Sequence, residues 1–416
     1  MWDAVVVGGG AAGFFGAITC AGELAGARVL ILEKSKHVLS KVKVSGGGRC
    51  NVTHHCFEPK LMATHYPRGH KSLIGPLHRF GVAETVQWFG ERGLLLKTEA
   101  DGRMFPVSDD SQTVIDCLQD AAWSAGVHIK TSTGVKSIVV KAGASSPVFE
   151  IGLDEGKPLL ARKVLLATGG TRVGAGEWLA RSLGHKLHEG VPSLFTFNIN
   201  DARLKELSGL SADPVEVRVE GESLVNRGPL LITHRGMSGP AILKLSAWGA
   251  RELHALDYRF DLIVNWLPGQ DVAASFDALR QQGGTRQIFA HSPFDTIPRR
   301  LWQSLVEAAR VPSGCTWSEL RREAKSALVD QLSRARFTVS GKSTNKDEFV
   351  TCGGVLTDEA DMRTMESRRC PGVYFAGELL DIDGVTGGFN FQNAWTTGHL
   401  AGMALAKALE AERLPE

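Results

Sequence analysis

The feature that most constrains the fold is a glycine motif within the first thirty-three residues. A short apolar run, Asp3–Val7, leads into Gly8-Gly-Gly10-Ala-Ala-Gly13, and residues 14–24 then have helical spacing. A second apolar run, residues 27–32, ends in Glu33, twenty residues after Gly13. This order of strand, glycine turn, helix and strand is typical of a βαβ unit that binds a dinucleotide.

Each position of the motif has a physical role in such a unit. Gly8 permits the turn, Gly10 lets the backbone approach a pyrophosphate, and Gly13 lets the helix lie close to the strand. The helix N-terminus then faces the phosphates, and Glu33 meets a ribose hydroxyl. We therefore predict that Gly8, Gly10, Ala12, Gly13 and Glu33 bind a dinucleotide. A purely structural βαβ unit is the alternative.

The composition limits the partners. The chain has 416 residues, enough for two or three domains, with 47 Lys and Arg against 45 Asp and Glu. A net charge of +2 gives no electrostatic reason to expect nucleic acid or an anionic membrane. We predict a small-molecule substrate, no nucleic-acid partner and no membrane partner, and the sequence leaves the oligomeric state open.

Two further observations bear on the cellular compartment. The 7 cysteines are odd in number and scattered, which predicts reduced thiols. The uncharged stretch 4–22 lacks the basic start of a signal peptide. A cytoplasmic location is therefore expected.

A basic stretch and a triple-glycine segment follow Glu33. Ser45-Gly-Gly-Gly-Arg-Cys-Asn51 can present bare backbone to a flat ligand, although a solvated loop is the alternative. The cofactor contacts predicted in this region are Lys34, Lys41, Ser45, Gly46, Gly47, Arg49 and Asn51.

The cysteines and histidines of this region match no redox or metal motif. Cys50 and Cys56 have five residues between them, and the chain contains no CxxC, so a dithiol mechanism is not predicted. The histidines from His54 to His78 match no zinc spacing, and we predict no metal. No residue is identified as a catalytic acid or base.

Two later strands also end in glycines. Residues 163–167 run into Thr168-Gly169-Gly170, and residues 372–376 run into Gly377-Glu378. With the βαβ motif, these are the three signatures of flavoproteins of the type with two dinucleotide-binding domains. They favour FAD over NAD as the tightly held, noncovalent ligand. Thr168, Gly169, Gly377 and Glu378 join the predicted site.

The last predicted helix, residues 391–409, follows a glycine-rich turn, Asp381–Gly388. Its small residues predict packing against the first helix. A helix N-terminus beside a flavin would stabilise negative charge on the reduced ring. We predict that Asp381, Gly388, Phe389 and Asn390 lie at the cofactor, with Arg49 and Asn51 also around the flavin ring.

The intervening chain is predicted in outline. Helices are expected over 82–94 and 111–125, with Gly102–Pro106 as a turn between them, and a strand over 127–140 broken near Gly134. Short strands are expected over 191–267 and helices over 271–331. The domains predicted are a discontinuous cofactor domain (1–190 and 341–416), an inserted β-rich domain (191–270 and 332–340) and a helical subdomain (271–331).

These motifs together resemble the BaiN/RdsA family of NAD(P)/FAD-dependent oxidoreductases, which includes aminoacetone-oxidase-like flavoproteins. The most specific stretches are Ser45–Thr53, Met104–Pro106, His234–Pro240, Gly353–Val355 and Gly377–Asn390. The resemblance implies an α/β fold, a Rossmann-like FAD-binding domain of the two-dinucleotide type with an inserted β-barrel and a small helical subdomain. It also implies that Val135 is the adenine-side contact.

The function implied is that of an FAD-dependent oxidoreductase. Hydride or electrons would pass between NAD(P)H, as a transient donor, or a small organic substrate and a second acceptor. The alternatives are an amine or aminoketone oxidase that uses O2, or a flavin-binding protein with a sensing or docking role.

Overall fold

The structure is a computed structural model that describes residues 1–142, 147–170, 175–282, 284–343 and 350–413. The chain divides into two compact units, Met1–Pro192 with Val350–Glu416, and Ser193–Phe349. The finer division, with residues 271–331 as a separate subdomain, stays a prediction.

The strands are, in chain order, β1 (Trp2–Val7), β2 (Val29–Leu32), β3 (Thr53–His54), β4 (Leu96–Thr98), β5 (Arg103–Pro106), β6 (His128–Lys130), β7 (Val135–Lys141), β8 (Val148–Leu153), β9 (Leu159–Leu166), β10 (Leu187–Ser193), β11 (Phe197–Asn198), β12 (Ser211–Val219), β13 (Val225–Thr233), β14 (Gly236–Ser238), β15 (Phe260–Asn265), β16 (Ala335–Val339), β17 (Gly341–Lys342), β18 (Val350–Val355), β19 (Ala360–Asp361), β20 (Glu366–Ser367) and β21 (Val373–Phe375).

The α-helices are α1 (Ala11–Glu23), α2 (Ser40–Gly48), α3 (Pro59–Ala63), α4 (His70–Arg79), α5 (Val82–Gly90), α6 (Ser111–Ser124), α7 (Gly176–Ser182), α8 (Pro240–Trp248), α9 (Ala250–Ala255), α10 (Val272–Gln281), α11 (Arg299–Ala308), α12 (Arg322–Ser333) and α13 (Phe389–Ala411). Short 3-10 helices cover Ala202–Leu204, Thr357–Glu359 and Gly377–Leu379. None of the helices described is long and apolar enough to cross a bilayer.

The central sheet of the first unit has five parallel strands in the order β21-β9-β1-β2-β6. Strand β1 lies in the middle, with Val5 paired to Leu30 on one side and to Val164 on the other. Strands covered on both faces need continuous apolar sequence, which β2 has throughout and which β1 and β9 have over residues 4–7 and 164–166. Because parallel strands share one direction, the motifs that follow β21, β9, β1 and β2 meet at one edge of the sheet.

Glycines allow α1 and α13 to pack at close range. A Cβ on Gly398 would lie 2.6 Å from the carbonyl oxygen of Ala12, and one on Gly402 would lie 2.5 Å from that of Gly16. Side chains at these positions would clash with backbone, so the two helices can approach this closely only with glycine. The prediction that the last helix packs against the first is confirmed.

The prediction that Gly102–Pro106 forms a turn is wrong for most of its length. Gly102 has φ +85° and belongs to a turn, but Arg103–Pro106 is strand β5. This strand pairs antiparallel with β3 and β4, and Phe105 is fully buried. Glycine and proline at its two ends suggested a turn, although one partner, β4, lies close by in the sequence and only the other, β3, is distant.

The second unit contains an antiparallel sheet in the order β16-β15-β12-β13-β14-β11-β17. Across the described residues this sheet has two end strands, so it is open and differs from the barrel that the resemblance implied. Helices α8 and α9 also interrupt the predicted run of strands. Strands and helices share one core, to which Val217 of β12, Phe276 of α10 and Trp302 of α11 belong.

Candidate cofactor site

In the first glycine turn, Gly8 and Gly13 are packed against backbone, whereas Gly10 is open to solvent or a ligand. A Cβ on Gly8 would lie 2.3 Å from the Ala167 carbonyl oxygen, and one on Gly13 would lie 2.0 Å from that of Gly8. A Cβ on Gly10 would meet no atom of the described residues within 4 Å. The turn therefore fits the approach of a phosphate group at Gly10, next to the N-terminus of α1.

Glu33, at the end of β2, has its carboxylate against this turn. One oxygen accepts the Gly9 N–H at 2.8 Å, and the other accepts the N–H and hydroxyl of Ser35 at 2.8 and 2.6 Å. A carboxylate offers about four acceptor positions, so these three bonds leave room for a ribose hydroxyl.

The second and third glycine signatures meet at Glu378. Its carboxylate lies 2.5 Å from Lys41 Nζ and accepts the Thr351 N–H at 2.7 Å. A Cβ on Gly170, which follows Thr168 and Gly169, would lie 3.0 Å from the same carboxylate. A Cβ on Gly377 would lie 2.8 Å from the side chain of Ala12. The three motifs thus form one continuous surface.

The triple-glycine segment ends α2 with left-handed backbone. Gly46 and Gly47 have φ of 57° and 70°, a conformation that glycine adopts at little cost. The Ser45 hydroxyl donates to the Val42 carbonyl at 3.0 Å, and the Ser45 carbonyl accepts the Cys50 N–H at 3.0 Å. These bonds fold the segment back on itself and turn its backbone outward at Gly47.

Arg49 is paired with acidic side chains. Its guanidinium lies 2.6 Å from Glu99 and 3.4 Å from Asp109, and it stacks on Phe105 with its central carbon 4.0 Å from the ring centroid. The carboxylates balance the positive charge of Arg49, which the sequence predicts to lie around the flavin ring. Contact between Arg49 and a flavin stays a prediction.

Asn51 joins the triple-glycine segment to the last helix. With its oxygen toward α13, its carboxamide accepts the Gly388 N–H at 2.9 Å and donates to the carbonyls of Thr53 and Met104 at 3.0 and 3.2 Å. A Cβ on Gly388 would lie 2.4 Å from the Thr53 carbonyl oxygen. The two glycine-rich segments are therefore in direct contact.

Phe389 and Asn390 shape the turn before α13 with their side chains. Asn390 bonds both backbone groups of Gly384, at 2.8 and 2.9 Å, and Phe389 is only 2% exposed. The first intrahelical bond runs from the Gln392 N–H to the Gly388 carbonyl. The N–H groups that begin the helix are thus oriented for a ligand outside it, as a helix N-terminus provides.

Two acidic residues of the same turn have partners that sequence reasoning missed. Asp381 lies 2.6 Å from His188 Nδ1, and the fully buried Asp383 forms an ion pair with Arg68 that includes a 2.6 Å bond to Nε. Arg68 and His188 lie outside every glycine motif, so no local sequence signal identifies them.

Two predicted residues, Lys34 and Val135, lie at the edge of this surface and in the core beside it. Lys34 is exposed, and Val135 begins β7 with 5% exposure. The Thr133 N–H donates to the Glu33 carbonyl at 2.9 Å, which brings the chain before Val135 beside the end of β2.

Burial raises the pKa of the Cys50 thiol to about 12, so this cysteine stays protonated at neutral pH.

This architecture defines a Rossmann-type flavoprotein, an FAD-dependent oxidoreductase. Its defining features are the parallel sheet, the three adjoining glycine motifs and the start of α13. The family described as HI0933-like protein Rossmann domain matches residues 2–404. The chain belongs to this family.

Two relatives are similar over nearly their whole length. The 3-dehydro-bile acid delta(4,6)-reductase of Clostridium scindens is 30% identical over 97% of this chain and 98% of its own. The ribosomal RNA dihydrouridine synthase of Escherichia coli is 31% identical over 95% of this chain and 96% of its own. In fold, the chain is similar to the 3-ketosteroid-delta4-(5alpha)-dehydrogenase of Rhodococcus jostii RHA1, with a TM-score of 0.53, 17% identity and 98% of each chain covered.

Proposed function

We propose that this protein binds FAD noncovalently and reduces a carbon-carbon double bond that is conjugated with a carbonyl group. The observation that carries the proposal is the meeting of the three glycine motifs at one sheet edge, together with the contact of the triple-glycine segment with the start of α13, in a chain whose relatives are named for such reductions. Dihydrouridine is uridine with the ring double bond saturated, and the other name states reduction at positions 4 and 6 of a 3-dehydro bile acid.

The residues of this chain would hold the cofactor along the sheet edge. Glu33 would accept the ribose, with Lys34 and Val135 on the adenine side. Gly8, Gly10, Ala12 and Gly13 would present backbone to the pyrophosphate, and Thr168, Gly169, Gly377 and Glu378 would border its middle. Bound FAD supplies the hydride, and we propose NAD(P)H as its transient source.

The flavin-ring end would lie between the two glycine-rich segments. Ser45, Gly46, Gly47, Arg49 and Asn51 would face one part of the ring, with Gly388, Phe389 and Asn390 at its pyrimidine edge. The backbone N–H groups that begin α13 would stabilise negative charge on the reduced ring. Saturating the double bond also needs one proton.

The test isolates the half of the reaction in which the reduced flavin passes its hydride to the substrate. Reduced, FAD-loaded protein is mixed without oxygen with 4-androstene-3,17-dione, with its analogue lacking the ring double bond, or with an unmodified ribosomal RNA transcript. Recovery of the oxidised flavin spectrum with one unsaturated substrate, and not with the saturated analogue, is expected.

Each outcome identifies a function. The near-neutral charge favours the small unsaturated ketone, and oxidation by the transcript instead would overturn the prediction of no nucleic-acid partner. A reduced flavin that neither substrate reoxidises, but that O2 reoxidises after reduction by an amine, would replace the proposal with an oxidase.

A further inference from the structure

Both ends of one peptide group, the one joining Gly387 to Gly388, are held by side chains from a single short segment. The Gly387 carbonyl oxygen lies 3.0 Å from Nδ1 of His54. The Gly388 N–H donates to the Asn51 carboxamide oxygen at 2.9 Å. Because a carbonyl only accepts, the His54 contact is a hydrogen bond when Nδ1 carries a proton.

This peptide group needs outside support, because it joins two glycines. Gly387 and Gly388 have φ of 127° and 93°, and neither has a Cβ that restricts its rotation. Gly388 is also the N-cap of α13, and as a glycine it has no side chain that could cap the helix. The orientation of the first helical turn therefore depends on contacts from elsewhere in the chain.

His54 is itself held firmly. Its ring stacks on Phe389, with centroids 4.7 Å apart and planes 26° apart. On another side, a Cβ on Gly102 would lie 2.5 Å from His54 Nε2, so the ring is enclosed there. A donor fixed in this way can fix the carbonyl that it bonds.

We propose that His54 and Asn51 clamp the Gly387–Gly388 peptide and thereby aim the first turn of α13 at the flavin ring. The inference rests on the proposed FAD site. The positive end of a helix stabilises nearby negative charge, so a correctly aimed α13 raises the reduction potential of the flavin. His54 is thus a positioning residue, and it acts through the backbone of Gly387.

Three substitutions separate the hydrogen bond from the ring. His54→Phe keeps a ring against Phe389 but removes the donor. His54→Asn places an amide near the position of Nδ1 and restores the donor. His65→Phe is the matched control, because the His65 ring also stacks on Phe389, at 4.3 Å, while the clamped peptide has its partners in His54 and Asn51.

The expected result is a more negative midpoint potential in His54→Phe, with His54→Asn and His65→Phe at the wild-type value. The FAD dissociation constant of His54→Phe should rise about threefold to tenfold, as for loss of one hydrogen bond. A wild-type potential in His54→Phe, an equal shift in His65→Phe, or failure of His54→Asn to restore the potential would overturn the clamp.

A second measurement does not depend on the cofactor. Hydrogen exchange of the segment 384–391 in the FAD-free protein should be faster in His54→Phe than in wild type or His65→Phe. Equal exchange rates would contradict the clamp. A wild-type protein that binds no FAD but shows this difference in exchange would contradict the proposed function and leave the clamp supported.

Discussion

Glu33 is the side chain through which β2 contacts the glycine turn, and it is the proposed partner of the ribose. Glu33→Ala should raise the FAD dissociation constant about tenfold to a hundredfold, because a hydrogen bond to a charged group contributes about 1.5–3 kcal/mol. Ser35→Ala is the control, since it removes one donor to Glu33 and keeps the carboxylate. Fluorescence titration measures both, and an unchanged affinity in Glu33→Ala would falsify the assignment.

Arg49 and Glu99 have opposite charges at a separation of 2.6 Å, so their removal should shift the flavin potential in opposite directions. Arg49→Ala removes a cation and should make the potential more negative. Glu99→Gln leaves the cation less compensated and should make it more positive. Spectroelectrochemical titration of the two FAD-loaded variants tests this, and shifts of the same sign would place Arg49 away from the ring.

At the scale of elements, the close contact between α1 and α13 predicts that a Gly→Ala substitution has opposite effects on stability inside and outside the contact. Gly402→Ala adds a methyl group 2.5 Å from the Gly16 carbonyl oxygen and should lower the free energy of unfolding by about 1–3 kcal/mol. Gly22→Ala, where a Cβ meets no described atom within 4 Å, should raise it by about 0.5–1 kcal/mol. Urea denaturation distinguishes them, and equal effects would contradict the close packing.

The same helix pair contains a half-buried histidine that predicts a pH dependence. Burial, together with Arg79, lowers the pKa of His399 to about 4 from 6.5. Between these values the unfolded chain binds more protons than the folded protein, so the free energy of unfolding falls as the pH drops from about 6.5 to about 4. The loss at pH 5 should be roughly 1–2 kcal/mol.

His399→Gln removes this titration and retains a polar group toward Thr19, whose hydroxyl lies 3.4 Å from His399 Nδ1. The urea midpoint of the variant should therefore fall less than that of wild type between pH 7.5 and pH 5. Identical pH dependence in the two proteins would show that His399 is not held neutral in the fold.

Elements with local signals were predictable from the sequence, and elements that depend on distant partners were not. The first βαβ unit has its strands and helix where the apolar runs and glycines indicate them. Strand β5 is bounded by Gly102 and Pro106, which suggest a turn, and only one of its two partners, β3, lies some fifty residues away, since β4 is a hairpin neighbour. The contacts of Asn51 with Gly388 and of His54 with Gly387 likewise join residues more than 330 positions apart.

At the scale of the whole molecule, both ends of the chain build one unit, and the proposed FAD site lies entirely within it. The sequence predicted that the glycine motifs converge at one sheet edge, since parallel strands place their following loops there. It did not predict Arg68 and His188 as the partners of Asp383 and Asp381, because no pattern links them to these acidic residues. Their identification needed the packed structure.

The position of bound FAD tests the central claim most directly. A crystal structure of the FAD-loaded protein should show the ribose of the adenosine half at Glu33, the pyrophosphate at Gly10 and the pyrimidine edge of the ring at the first N–H groups of α13. FAD bound anywhere else, or a ring edge turned away from Gly388 and Phe389, would contradict the account.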